Sequence, residues 1–493
     1  MNRRVPVPVP VPVPGQRGDG LARRDLLTAG GLGLASSLSV ANRRSWASPA
    51  ADPADSLERG FGRAKRCLLI YIYGAWSQLD TFDPKPDAPA EKRGEFGSIP
   101  SVLPGVRVCE HLPGAASVLD RCSLIRSMSH PWNIHSAAYT LTGNPHTERI
   151  EGRQRHPEHW PYFGGVLDWL GDEGQLAPLP PGVPRNVMLP WKQSVFAAPL
   201  KRAGTFGGFL GPAYDPLWTT FHGEAPLGDP FRGITPAGRL RFDVGAAAES
   251  TAATLAERGE LLSTLEAGTT ALRRLPRVKS YVRQRQRALE FMAHPQVRDA
   301  LRIGQESQSL RDAYGMTLFG QSCLSARRLL ETGVQLVTVL WDEFGKTDES
   351  WDTHHDHHSR MKGYLLPGFD QAFGTLLADM DRRGLLEDTL VLCLSEHGRT
   401  PKFYATSAGA PGRGHWSRAY CQLAAGAGVP RGQVIGSTDK QAGDVVDRPI
   451  DPKDILCTAY HLLGVDVRQE LESGSGRSVP LVGGGRVVPE LIG

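Results

Sequence analysis

The sequence predicts an α/β fold: a mostly parallel central sheet sandwiched between helices, with long loop and helical insertions. Two observations carry this. First, four short runs are almost continuously apolar and rich in β-branched or aromatic residues: CLLIYIYG at 67–74, CSLIRSM at 122–128, VQLVTVLW at 334–341 and TLVLCLSE at 389–396. Such runs read as strands buried on both faces, the pattern of a parallel sheet covered by helices. Second, the stretches 309–333 and 363–384 carry apolar residues at helical spacing and stop at Gly333 and Gly384. In sheets of this kind ligands bind beyond the carboxyl ends of the strands. The residues just after each strand are therefore the ones to read for chemistry.

The chain opens with VPVPVPVPVP at 5–14, where alternating proline forbids helix and favours an extended, disordered leader. Arg23 and Arg24 then precede the uncharged stretch LLTAGGLGLASSLSV at 26–40, followed by small residues at 46–51. Basic, apolar, then small is the layout of an export signal, and the paired arginines indicate the twin-arginine route. The apolar part is short for a membrane span of about 20 residues, and no later segment is long and apolar enough to span. Residues 1–50 are expected to be leader and signal, 51–63 a polar linker, and 64–490 a single domain exported to the periplasm or beyond. The stretch 175–245, rich in Gly and Pro, reads as long surface loops, and 248 to about 300 as two charged helices forming a cap.

A net charge of +4 argues against nucleic acid or a membrane surface as the main partner. The seven cysteines include no CxxC pair, which argues against a zinc–thiolate or redox centre. Cys67, Cys393 and Cys421 lie in apolar runs and read as buried free thiols. His461, in the helical pattern 454–464, reads as a residue without a ligand role.

Four polar segments follow predicted strands: GAWSQLDTFDPKP at 74–86, WDTHHDHH at 351–358, SEHGRTP at 395–401 and GRGHWS at 412–417. Imidazole and carboxylate together bind Zn²⁺, Mn²⁺ or Fe, and carboxylate-rich sites suit Ca²⁺ or Mg²⁺. In an extended segment Asp352 and His354 point to the same side and reach one ion. Glu396 and His397 adjoin at a turn, where neighbouring side chains reach two different ions. His415 supplies one more imidazole. The competing reading of WDTHHDHH is a polar loop entering a helix, and it accounts for His355, Asp356, His357 and His358 as a solvated helix start. Arg399 is placed to bind an anion bidentately or to close a salt bridge within its own loop. Lys85 reads as a surface residue.

The chain resembles an exported family, domain of unknown function 1501, within the alkaline phosphatase and sulfatase superfamily. The resemblance runs through LDTFDPKPDAPAEKRGEF (79–96), EHLPGAA (110–116), LIRSMSH (124–130), GGFLGPAYDP (207–216), YGMTLFGQSCLSARRLLETGVQLVTV (314–339), WDTH (351–354), GRTP (398–401) and DRP (447–449). It implies an alkaline phosphatase-like sheet between helices, one or two divalent metal ions and hydrolysis of phosphate or sulfate esters. It also implies an ion on an acid and two histidines, a pattern that Asp352, His354 and His415 fit. Asp80, with Asp83 as substitute, fits the acid after the first strand, and Glu396 with His397 fits an acid–histidine pair. The chain departs from the family in having His397 where Phe is usual, Gln78 where His is usual and Gly414 where Asp is usual. WNIHSAAYTLTG at 132–143 resembles the sulfatase helix that ends in Leu-Thr-Gly, but the nucleophile position falls on Asn133, and an amide is no nucleophile. Ser136, Thr140 and Ser77 are the stand-ins, against a plain role in capping or packing. His135 matches a family histidine and would bind substrate or metal, or serve as a hydrogen-bonded structural residue.

The resulting expectation is an exported, metal-dependent hydrolase of phosphate or sulfate esters. Its metal ligands would be drawn from Asp80, Asp352, His354, Glu396, His397 and His415, and its catalytic groups from Ser136, Arg399 and His135. The ion would be Zn²⁺, Mn²⁺ or Ca²⁺, and the substrate an anionic ester or a sulfated or phosphorylated glycan. No nucleic acid and no transmembrane helix after signal removal are expected. The alternatives are a metal- or glycan-binding envelope protein without turnover, and a structural envelope protein that holds no metal.

Overall fold

The computed structural model describes residues 58–144, 150, 152–194, 201–243, 282–283, 294–342 and 350–493. The segments expected to be leader, export signal and the start of the linker, and most of the 248–300 stretch expected to form two helices, lie outside them. The described residues build on a nine-stranded sheet. Its strands are β1 (Arg66–Ile72), β2 (Cys122–Met128), β3 (Asn186–Leu189), β4 (Leu217–His222), β5 (Arg239–Phe242), β6 (Leu336–Trp341), β7 (Thr389–Leu394), β8 (Tyr420–Ala425) and β9 (Gln433–Ile435). Their order across the sheet is β9-β2-β8-β7-β1-β6-β3-β4-β5. β8 runs against β7 and β2, and β5 against β4; the other neighbours are parallel.

The centre of the sheet explains its own composition. β1 lies between β6 and β7 with Cys67 opposite both Leu336 and Leu390. Alternate residues of a strand face opposite sides. Leu68, Ile70 and Ile72 enter one core, and Leu69, Tyr71 and Tyr73 the other. Both faces must therefore be apolar, which is why the run has no polar alternation. Helices α4 (Leu318–Glu331) and α5 (Leu366–Arg382) cover the first face through Phe319, Leu324, Phe369 and Phe373. Helices α1 (Ala137–Thr142), α2 (Phe163–Asp172) and α6 (Pro452–Leu462) cover the second through Leu141, Phe163, Leu167, Leu456 and Tyr460. The expected α/β sandwich is thus the observed one, and all four predicted strands lie in its sheet.

Three local expectations change. The 175–245 stretch is not only loop: it supplies β3, β4 and β5, the three outermost strands on one side of the sheet. These strands are four to six residues long, and β4 and β5 are partly exposed, so their apolar runs are weak. The 309–333 stretch divides at Gly315 into α3 (Gln308–Tyr314) and α4, because the Thr317 side chain accepts the Gly320 N–H and starts a new helix. Within 132–143 only α1 is helical, with Ser136 as its N-cap. All seven cysteines are buried and free. No helix among the described residues is long and apolar enough to cross a membrane.

Candidate metal centre

β1, β2, β6 and β7 point the same way, so the loops after them meet at one edge of the sheet. Gly74, just past β1, is the point of closest approach. Its N–H donates to Glu396 Oε1 at 2.8 Å, and a Cβ there would lie 2.4 Å from the Asp352 backbone nitrogen. Only glycine lets the loops after β6 and β7 close onto the end of β1. Trp351 anchors Asp352 from below, fully buried with its ring edge-on to Trp76 and Trp341 at 6.3 and 5.4 Å. The chain then doubles back, with Thr353 N–H donating to Trp351 O and His354 N–H to Asp352 O. Asp352 and His354 thus meet through a tight turn, not through the alternation of an extended segment. His415 is brought in by a two-stranded ribbon that sets it opposite Arg399.

Four side chains converge. Asp352 Oδ1 lies 2.9 Å from His354 Nε2 and 3.6 Å from His415 Nε2. The two Nε2 atoms are 2.9 Å apart. His135 Nε2 lies 2.9 Å from Asp352 Oδ2, and His135 Nδ1 lies 2.8 Å from Glu396 Oε1. In a tetrahedral zinc site, bonds of about 2.0–2.1 Å separate neighbouring ligand atoms by about 3.3 Å. The observed spacings match that scale. His135 Nε2 and Asp352 Oδ1 are buried and, though close to other polar atoms, lack hydrogen-bond alignment. Glu396 Oε2 and His397 Nε2 are likewise buried without a hydrogen bond. Buried polar atoms are normally satisfied, so lone pairs turned toward a common point fit a cation.

The electrostatics agree. Burial alone would lower His135, but Asp352 and Glu396 push it up to about 9. A proton on His135 thus balances the carboxylates as a bound cation would. Burial would raise Asp352, yet Arg399 and His135 hold it well below the usual carboxylate range. His415 is pushed down to about 4, mainly by burial, and burial also holds His397 well below its usual range. These two rings are neutral at physiological pH, the form that binds metal.

Two donor groups result: His135, Asp352, His354 and His415, and His135, Glu396 and His397. They share His135, and a neutral imidazole offers one lone pair. With Nε2 turned to the first group, Nδ1–H donates to Glu396, a carboxylate–histidine pair of the kind that orients metal ligands. His130 supports the same turn by donating from Nε2 to Glu396 O at 2.8 Å. His397 donates from Nδ1 to Gly398 O at 2.7 Å, and its ring lies 5.1 Å from His135 and 4.7 Å from His415.

Several expected roles are corrected. Asp80 does not reach the cluster: it is fully buried, takes the Ser77 hydroxyl at 2.6 Å, and pairs with His357 Nε2 at 3.0 Å and Arg413 Nε at 2.7 Å. Asp83 is no substitute, since it pairs with Lys85 at 2.9 Å and Arg126 at 3.4 Å. Arg399 is fully buried and spends its nitrogens on the Ala75, Gly74 and Arg413 carbonyls and on Asp352 at 2.5 Å, so it is not presented to an anion. Ser136 Oγ accepts the Tyr139 N–H, and Ser77 is held by Asp80. Thr140 is buried on α1. Asn133 Oδ1 accepts the Ser417 N–H at 2.9 Å. His357 is not at a solvated helix start: it is wholly buried between Asp80 and Thr353 Oγ1. Gln78 holds the Arg399 backbone through both amide atoms. Two contributors were missed from sequence: Tyr73, stacked on His135 at 5.5 Å, and Tyr404, whose hydroxyl meets His354 Nδ1. Neither sits in a motif that marks it.

Fold and site together define an α/β protein with a histidine–carboxylate cluster at the carboxyl edge of its sheet. Residues 64–492 match the family model described as protein of unknown function, DUF1501, and the chain belongs to that family. No curated protein matches it. Among solved structures it is similar to Ps i-CgsB in complex with k-i-k-neocarrahexaose, at 10% identity over 84% of this chain and 74% of that one, with a TM-score of 0.39. It is also similar to the PsFucS1 sulfatase from Pseudoalteromonas sp. (13%, 85% and 72%, 0.38). A third is the lipoteichoic acid synthase LtaP from Listeria monocytogenes (10%, 89% and 80%, 0.34).

Proposed function

We propose that this chain is an exported hydrolase of phosphate or sulfate esters that works with one divalent metal ion held by His135, Asp352, His354 and His415. The observation that carries the reading is the convergence of three histidine Nε2 atoms on the Asp352 carboxylate at the edge where the strands end. When bound, the ion would supply positive charge for a phosphoryl or sulfuryl oxygen and acidify water. Glu396 holds His135 in its ligating tautomer. Arg399 fixes Asp352 and balances its charge. The His354 side chain is 37% exposed and that of His415 22%, so substrate approaches from their side while His135 and Asp352 exclude water behind. The substrate class is an anionic ester, sulfated or phosphorylated glycans included, met in the periplasm or outside the cell after twin-arginine export.

A second reading, a metal- or glycan-binding protein without turnover, is favoured by Asn133. It stands where a sulfatase-like nucleophile would, and its amide is tied to Ser417. Elemental analysis of the mature chain purified without chelators, beside His354→Ala and His415→Ala, tests the centre. Aryl phosphate, bis-aryl phosphate and aryl sulfate with Zn²⁺, Mn²⁺ or Ca²⁺ then test turnover. Metal with hydrolysis supports the hydrolase, and metal without hydrolysis across that panel supports the binding protein. A folded chain that takes no metal overturns both metal readings.

A further inference from the structure

We propose that Tyr404 is a positioning residue for this centre: its hydroxyl fixes His354 in the tautomer that turns Nε2 toward the ion. The inference rests on the metal reading above. His354 has the most exposed side chain of the four ligands and needs a partner to hold its ring. Its Nε2 lies 2.9 Å from both Asp352 Oδ1 and His415 Nε2. A neutral imidazole has one N–H and one lone pair. For the lone pair to sit on Nε2, Nδ1 must carry the hydrogen and donate it. The group that meets Nδ1 is the Tyr404 hydroxyl, and the rings stand at 62° with centroids 6.2 Å apart. Glu396 does the same for His135.

Tyr404 is delivered by a small hairpin, Tyr404–Thr406 paired with Gly409–Gly412. The hairpin docks without the help of the hydroxyl. A Cβ on Gly412 would lie 2.0 Å from His354 O, so backbone packs on backbone there. Asp356 N–H donates to Ala410 O at 2.9 Å, and Asp356 Oδ1 accepts the Ala410 N–H at 2.9 Å. Asp356 and Tyr404 thus assign two jobs within the histidine-rich segment: one holds the hairpin, and the hairpin holds His354.

The test is Tyr404→Phe in the full mature chain, which keeps the ring and removes only the oxygen. Zn²⁺ and Mn²⁺ affinity is read by competition with a chelator, and the His354 tautomer by ¹⁵N spectra of the metal-free chain. The expected result is an affinity about 10- to 100-fold weaker, the usual cost of losing a ligand's orienting partner. His354 should change from a single Nδ1–H form to a tautomer mixture, with thermal unfolding of the metal-free form unchanged. Tyr404→Gln, whose carbonyl can accept the same hydrogen, should recover part of the loss. Unchanged affinity and tautomer in a folded Tyr404→Phe chain would overturn the proposal. If the wild type takes no metal, the metal reading fails and the tautomer spectra alone decide the role of Tyr404.

Discussion

The Nε2 atoms of His354 and His415 face each other at 2.9 Å across 61 residues of sequence. Two imidazole lone pairs so close repel each other unless a proton or a cation lies between them. Burial pushes His415 down to about 4, so that ring is neutral at physiological pH and keeps a lone pair for a cation. A metal ion satisfies both nitrogens and Asp352 at once. Because the two donor groups share the single lone pair of His135, the chain should hold one ion, not two. Elemental analysis should find one equivalent. Asp352→Asn and His415→Ala should fall well below that, whereas Glu396→Gln, which alters the group that accepts from His135 and from the Gly74 N–H, should still load with affinity weakened about 10- to 100-fold. Two equivalents in the wild type would refute the shared-ligand argument.

Asp80 follows the first strand yet belongs to a different network. Its carboxylate is held between Arg413 and His357, with no exposure. Asp80→Asn leaves the Arg413 guanidinium buried against a neutral amide, a loss of about 3–5 kcal/mol for one partner of a buried pair. Urea unfolding of the mature chain should show that loss. Metal stoichiometry in the folded variant should stay at the wild-type value, because Asp80 is not a ligand. A variant with normal stability and no metal would reverse the assignment.

The same network sets a pH dependence. His357 is pushed down to about 4, burial being the main cause. Its unfolded value is near 6.5, so between about 6.5 and 4 the unfolded chain binds a proton that the folded chain does not. Stability must therefore fall as pH drops through that window. Asp80, whose pKa Arg413 and His357 lower against the effect of burial, adds a further loss below the unfolded carboxylate range near 3.9. Denaturation midpoints of the metal-free chain from pH 7 to 4 should slope down with acid, and His357→Gln should flatten part of that slope. An unchanged slope in the variant would mean that His357 carries no such linkage.

Much of this was legible in the sequence, and the rest was hidden for identifiable reasons. The central strands announced themselves because both faces of β1, β6 and β7 are buried, which leaves few polar positions beside Arg66, Thr338 and Thr389. β3, β4 and β5 stayed hidden because they are short and β4 and β5 are half in water. Asp352, His354, Glu396, His397 and His415 were readable as ligand types after strands. What spacing could not say is which acid faces which base. Asp80 and Asp352 both follow strands, but one is closed between Arg413 and a single histidine, His357, and the other faces three histidines beside Arg399. His357 and His354 lie three residues apart in one motif and point into different networks. Tyr404 acts through a hydroxyl on a hairpin whose docking depends on Asp356 and the bare backbone of Gly412, and no local pattern encodes that.

Arg399 gives the sharpest contrast between motif and geometry. From sequence it is a candidate anion clamp, and a clamp needs free donors and access. Here the guanidinium is fully buried, its nitrogens directed to the Ala75, Gly74 and Arg413 carbonyls and to Asp352. It ties the end of β1 to the ribbon that carries His415. Arg399→Lys keeps the charge but cannot reach three carbonyls and a carboxylate with one ammonium. The expected outcome is a loss of about 1–3 kcal/mol in urea unfolding, since buried carbonyls are left without a donor, together with weaker metal binding. Binding of inorganic phosphate or sulfate by the metal-free chain, followed by calorimetry, should be the same in wild type and variant. If the variant keeps its stability and its metal but loses anion binding, Arg399 is a clamp after all and the buried ion pair is incidental.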